Sequence, residues 1–269
     1  MIHLNDVRYT YPKGGAEAIR GISLDVSLGE TLFVLGHNGA GKSTMLRLFN
    51  GLLKPGSGTV TVDGTDTRDA RPAQLSRTVG LVFQNPDAQL FRDRVSEEVS
   101  FGAENGSGDD DATERHERAM ALLDLESVAD SNPYDLTLSW RKRVAIASVV
   151  AMGTPILVLD EPTGGQDADG TRVLTDLITD TRRRGHGCVV VTHDVELAFD
   201  CADRIVVLRE GVIHLEGAPM SVLGDPLLHL AGVEPSTMHQ ISVGIGLDPP
   251  ARGVDELEEY LEAAGGRTP

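Results

Sequence analysis

Nine consecutive residues, Gly36-His37-Asn38-Gly39-Ala40-Gly41-Lys42-Ser43-Thr44, carry the strongest chemical signal in the chain. They fit the spacing G-x-x-x-x-G-K-[ST], in which glycines let backbone N–H groups turn inward around phosphate oxygens. Lys42 is placed to reach the β- and γ-phosphates of a nucleotide, and the Ser43 hydroxyl to ligate Mg²⁺. A glycine-rich turn with a chance lysine is the bland alternative, and two further segments weigh against it. Asp160-Glu161 closes the apolar run Ile156-Leu157-Val158-Leu159, so a carboxylate pair stands at the end of a buried strand. Asp160 suits a Mg²⁺ shell, while Glu161 suits accepting a proton from, or orienting, an attacking water. His193-Asp194 ends a similar run, Cys188-Val189-Val190-Val191-Thr192. His193 there can sense a terminal phosphate, with a purely structural strand-end histidine as the competing reading.

These side chains converge only if a parallel sheet turns its strand ends toward one ligand. Thr31-Leu32-Phe33-Val34-Leu35 reads as the strand before the loop, and Met45-Leu46-Arg47-Leu48-Phe49 as the helix after it, stopping at Asn50-Gly51. That helix lends its positive N-terminal end to the phosphates. Residues 2–11 and 19–26 read as antiparallel strands, and 59–64 alternates like a strand ending in a turn. From about 84 to 150 the pattern is helical, clearest at 114–125 and 144–152, and strand–helix–strand resumes from 156 to 216. After Pro219 the prolines at 226, 235, 249 and 250 precede an amphipathic stretch at 254–264.

With these motifs in register, the chain resembles the ATP-binding-cassette (ABC) ATPases over nearly its whole length. The resemblance implies an α/β P-loop NTPase of ABC type, with a mixed core sheet and an N-terminal antiparallel β-subdomain. Residues 1–220 would form the nucleotide-binding domain, with a helical subdomain inserted at about 84–150, and 221–269 a small C-terminal extension. ATP and Mg²⁺ are the implied ligands. Gln84, in Val82-Phe83-Gln84-Asn85-Pro86, matches the family's Q-loop glutamine, which joins Ser43 and Asp160 at Mg²⁺ and Glu161 and His193 in catalysis. Asp167 matches the D-loop. Tyr11 lies where the family stacks an aromatic on adenine, with Tyr9 as its competitor for that role.

The family's signature, Leu-Ser-Gly-Gly-Gln, acts across a head-to-tail dimer on ATP held by the partner's loop. Here Leu136-Thr137-Leu138-Ser139-Trp140 occupies it, a few residues before an amphipathic helix led by Arg143-Val144-Ala145-Ile146-Ala147. Thr137 keeps a hydroxyl, both glycines are gone, and Leu138 and Trp140 add bulk where a phosphate should approach. Backbone N–H groups at a helix start survive any side-chain change. The partner is a second ABC ATPase chain, identical or different, and a heterodimer with an intact signature is favoured.

Phe83-Gln84-Asn85-Pro86-Asp87-Ala88-Gln89-Leu90-Phe91 resembles the Q-loop region of energy-coupling-factor (ECF) transporter ATPases, which power uptake of vitamins and cobalt or nickel ions. Gly232-Val233-Glu234-Pro235, Gly246-Leu247-Asp248-Pro249 and Val254-Asp255-Glu256-Leu257 are similar to their C-terminal extension. This implies an ATP-hydrolysing importer subunit on the cytoplasmic face of the membrane. Its companions would be a T (coupling) subunit, docked on a groove offering Leu90 and Phe91, and a substrate-binding membrane component. An importer ATPase of another type and a catalytically impaired structural subunit remain open.

Composition narrows the classes. A 269-residue chain with 24% charged and 40% hydrophobic residues has the profile of a globular domain with an appendage. No run approaches the roughly 20 apolar residues of a membrane span, and the N-terminus lacks a secretion-signal pattern. A net charge of −17 argues against nucleic acid and anionic lipid. Cys188 and Cys201 read as buried free thiols, and Gly108-Asp109-Asp110-Asp111 as a solvated loop. Lys13, Lys42, Lys54 and Lys142 are the only lysines, through GC-rich coding or a salty cytoplasm.

Overall fold

A computed structural model describes the chain apart from residues 13–14, 108–109, 236, 248–250, 252–253 and 266–269. Two β-strands open it, β1 (Ile2–Thr10) and β2 (Glu17–Val26), paired antiparallel. The wholly buried β3 (Thr31–Leu35) then runs into α1 (Lys42–Phe49). β4 (Ser57–Val62), β5 (Thr65–Asp66), the short α2 (Pro72–Leu75) and β6 (Val79–Val82) follow. Three helices come next: α3 (Val95–Asn105), α4 (Ala112–Leu122) and α5 (Leu138–Val150). Then β7 (Ile156–Asp160), α6 (Ala168–Arg183), β8 (Gly187–Val191), α7 (Val195–Cys201), β9 (Arg204–Arg209) and β10 (Val212–Gly217) alternate. The chain closes with α8 (Pro219–Leu223), α9 (Thr237–Gly244) and α10 (Val254–Gly265).

The strands form two sheets. β2-β1-β4-β5 is antiparallel, and β10-β9-β3-β8-β7-β6 is mainly parallel with an antiparallel β10 edge. β3, β7 and β8 are buried along their full length, as continuous apolar runs require in a sheet covered on both faces. β3 lies between β8 and β9, and β7 between β6 and β8, so the ends of β3 and β7 open on one edge. One hydrophobic cluster fills the space between the two sheets around Ile2, Ile22, Phe49 and Val158. A second joins the other sheet face to the helices through Phe33, Leu123, Ile146 and Leu177.

Three expectations need correction. The helix expected to be amphipathic from Arg143 begins five residues earlier, at Leu138, and residues 142–149 are all buried. Lys142 there donates to the Glu161 carbonyl and Arg143 lies near Asp124 and Asp167, so these residues offer no solvent face to give periodicity. Leu90 is core, whereas Phe91 is exposed. The loop around Asp110 is not simply solvated: Asp110 pairs with Arg118 at 3.0 Å and Arg184 at 2.5 Å, and Asp111 caps α4. Cys188 and Cys201 are free and buried, and burial pushes their thiols up to about 12 and about 11.

Candidate functional site

The loop between β3 and α1 needs its glycines for space as well as conformation. At Gly36, with φ 142°, a Cβ would sit 2.3 Å from the Leu208 carbonyl oxygen. At Gly41, with φ 106°, it would sit 2.6 Å from that of Ala18. Any side chain at either position would push the loop off the sheet. Lys42 starts α1 and folds back across the loop, its Nζ donating to the Gly36 carbonyl at 2.6 Å and that of His37 at 3.2 Å. Burial holds this ammonium below the ordinary lysine range, with Glu161 and Asp160 opposing that shift.

Asp160 ends β7 behind Ser43, whose hydroxyl donates to its Oδ1 at 3.3 Å. Burial raises the Asp160 carboxyl above its ordinary value, and the Ser43 hydrogen bond only partly offsets this. Glu161 is nearly buried and left-handed at φ 50°. A non-glycine residue there costs about 1–2 kcal/mol of strain. Two main-chain contacts hold it: its N–H donates to Val191 O at 2.8 Å, and its C=O accepts from Lys142 Nζ at 2.8 Å. The Glu161 carboxylate Oε2 lies 2.8 Å from Nδ1 of His193, an imidazole largely in solvent.

Together with Asn38, Gly39, Thr44 and Gln84, the residues Lys42, Ser43, Glu161 and Tyr11 line a cavity of about 350 Å³. The Tyr11 hydroxyl meets Thr44 Oγ1 at 3.0 Å, and its ring meets Tyr9 edge-on at 5.0 Å. Tyr11 stands at the cavity while Tyr9 packs on the inter-sheet core. The His37 backbone N–H donates to Ala231 O at 3.2 Å, so the chain near residue 231 touches the loop. Asp160 and Ser43 are hard oxygen donors side by side, which suits a small divalent cation completed by phosphate and water.

The segment 136–140 stands away from that cavity. Thr137 starts α5 without a side-chain cap, leaving first-turn N–H groups unclaimed by any side chain. Trp140 is half-buried, packs on the core and carries the Arg143 guanidinium 4.9 Å from its ring centroid. The bulk expected from Trp140 is therefore directed inward, and Leu138, 44% exposed, is the protruding side chain. Asp167 caps α6 through Gly170 N at 2.8 Å and lies 3.7 Å from Arg143.

Four contributors escaped the sequence. Lys142, Gln166, Gln89 and Glu98 act through specific hydrogen bonds that no spacing reveals. Gln89 accepts from Phe83 N at 3.2 Å and donates to Ala145 O at 3.2 Å, while Arg141 pairs with Asp87 at 3.0 Å, so the segment after Gln84 is tied to α5. Buried Glu98 accepts from Phe91 N at 2.9 Å and Arg92 N at 2.8 Å. Its neighbour Phe91 stacks edge-on with Phe101 at 4.8 Å beside a mainly apolar groove of about 350 Å³ that also takes in Leu52, Phe83 and Met152. Among the described residues no helix is long and apolar enough to cross a membrane.

The ABC transporter family profile matches residues 19–164. A putative ABC transporter ATP-binding protein of Pyrococcus furiosus is 40% identical over 258 residues, covering 96% of this chain and 98% of that protein. The energy-coupling factor transporter ATP-binding protein EcfA of Methanothermobacter thermautotrophicus is 39% identical, over 84% of this chain and 73% of its own. Among solved structures, CbiO1 of Clostridium perfringens, part of the ABC transporter complex CbiONQ, is 35% identical with TM-score 0.73, over 83% of this chain and 90% of its own. The cassette MJ0796, solved as a dimer after hydrolysis with ADP and Pi, is 29% identical with TM-score 0.73, over 81% and 99%. On its fold, its phosphate loop and these relatives, the chain belongs to the ABC transporter ATP-binding proteins, a family of ATP-hydrolysing cassettes that dimerise and pair with membrane components.

Proposed function

We propose that the chain is the ATP-hydrolysing subunit of an ECF-type importer, working on the cytoplasmic face of the membrane with a T subunit and a substrate-binding component. The observation that carries the catalytic half is the juxtaposition of Lys42, Ser43, Asp160, Glu161 and His193 around one edge of the sheet. Gly36 to Thr44 wrap the phosphates with backbone N–H groups, and Lys42 exchanges its two carbonyl partners for phosphate oxygens. Tyr11 stacks on the base. Ser43, Asp160 and Gln84 would hold Mg²⁺, which would supply charge neutralisation at the phosphates. Glu161 accepts the proton of the attacking water, and the His193 imidazole, donating to Glu161, fixes its orientation and faces the terminal phosphate.

The ECF reading draws on the likeness to EcfA and CbiO1 and on the apolar groove beside Phe91, which suits the apolar face of a helix from a membrane partner. A vitamin or a transition-metal ion is the cargo class; the specific cargo is read by another chain. The pairing is a heterodimer. An intact partner signature completes the site on Lys42 and Glu161, while Leu138 weakens the partner's site.

Glu161→Gln keeps shape and removes the base. In the complex purified from membranes it should retain ATP and lose at least about a hundredfold in turnover. Near wild-type turnover would reject Glu161 as the base. Mass spectrometry of the co-purified chains tests the partners: a T subunit and a second cassette are expected, and a transporter without a T subunit would refute the ECF assignment.

A further inference from the structure

The first two turns of α5 are fastened to the loop that follows Glu161 at two points. Lys142 Nζ donates to Glu161 O at 2.8 Å and lies against Gly164, where a Cβ would stand 3.1 Å from it. Ser139 Oγ donates to Gln166 Oε1 at 2.7 Å, and Gln166 Nε2 returns a bond to Ser139 O at 3.3 Å. Ser139 and Lys142 are three apart and so share one face of the helix. Glu161 and Gln166 bracket the loop between β7 and α6. Leu138 packs on the same loop, with Cδ2 3.1 Å from the Cβ position of Gly165. All three side chains, Leu138, Ser139 and Lys142, thus turn toward the chain's own 161–166 loop.

A buried ammonium bonded to a carbonyl is costly to desolvate, and a reciprocal amide–hydroxyl pair needs both partners in place. Such contacts hold only if helix and loop keep one relative position. We propose that Lys142 and the Ser139–Gln166 pair are positioning residues that make the first turns of α5 and the 161–166 loop one rigid body. The placement of segment 137–140 is then set by the state of the loop carrying Glu161. A phosphate arriving at Lys42 and Glu161 moves the start of α5 through these two bonds.

The inference rests on the reading of the Lys42–Glu161 cavity as the ATP site, and the experiment separates the two. The full-length chain, kept dilute enough to be monomeric by light scattering, is followed by amide hydrogen exchange with and without Mg²⁺ and a non-hydrolysable ATP analogue. Exchange at the amides of 138–141 should change several-fold on binding in the wild type. In the double variant Gln166→Leu/Lys142→Met that response should vanish, while affinity for the analogue stays within about twofold. Lys142→Met keeps an apolar stem of similar length and removes a buried charge, so the fold should survive it. In the assembled complex Ser139→Ala and Gln166→Leu should each lower kcat about fivefold and together no further, since both break one interaction. Ser139→Thr, which keeps the hydroxyl, should stay near wild type. An unaltered exchange response in the double variant, or additive losses in the cycle, would overturn the strap. Failure of the wild-type chain to bind the analogue would overturn both readings.

Discussion

Glu161 combines strain and chemistry in one residue. A side chain with φ 50° pays for a conformation that glycine adopts freely. Glu161→Gly should therefore be more stable than Glu161→Ala by about 1 kcal/mol, although both lack the carboxylate. Chemical denaturation of the two variants checks this, and equal midpoints would mean that the left-handed geometry is not held in solution. Asp160 gives a pH test. Burial, against the weaker pull of Ser43, raises its carboxyl, so the folded chain favours the protonated form. Stability from this group is full in acid below the ordinary carboxylate range and is lost as pH rises through the raised value. Without divalent cations, Asp160→Asn should melt higher than wild type at neutral pH, and the gap should close in acid. A lower melting temperature at neutral pH would show that the carboxylate is satisfied without a cation.

At the scale of elements, the strand ends were legible because a fully buried parallel strand is an uninterrupted apolar run, and β3, β7 and β8 are such runs. The start of α5 was not legible. The burial of every residue from 142 to 149 erases the helical period behind it, and Lys142 and Arg143 look like surface residues until their internal partners are seen. Leu90 and Phe91 are adjacent apolar residues with opposite fates. Buried Leu90 closes the core, while Phe91 is turned out by Glu98, which grips the two N–H groups at Phe91 and Arg92. Leu90→Ala should cost about 2–4 kcal/mol of stability. Phe91→Asp should cost under about 1 kcal/mol and instead abolish co-purification of the membrane subunit. Retention of that subunit at wild-type level would move its docking site elsewhere.

Over the whole molecule, the sequence exposed what depends on local pattern and hid what depends on contacts between distant segments. The phosphate-loop spacing pointed to Lys42 and Ser43 and the ends of two apolar runs to Asp160, Glu161 and His193, and these side chains lie at one sheet edge. Residues 136–140 could be aligned on the signature by counting, yet the inward course of Trp140 depends on Arg143 and the core behind it. This sharpens the test of pairing. Leu138→Gly removes an exposed apolar side chain and should raise ATPase activity of the chain alone several-fold, if the altered signature limits a homodimer. Trp140→Gln should mainly destabilise, by about 2–4 kcal/mol, because it removes core packing and the ring under Arg143. Vigorous turnover by the unmodified chain alone would show that the heterodimer is not needed.

The chain has four lysines, and three of them are engaged with main-chain oxygens. Lys42 reaches Gly36 and His37, Lys54 reaches Thr67 and Ala70, and Lys142 reaches Glu161; Lys13 lies outside the described residues. In a protein so poor in amines, acylating reagents become site reporters. Lys42 and Lys142, both held below the ordinary lysine range by burial, keep a larger fraction of the nucleophilic free amine than a surface lysine does. Limited acylation read by peptide mapping would therefore have few positions to resolve, with the change at Lys42 on adding nucleotide following occupancy and that at Lys142 following the joint between helix and loop.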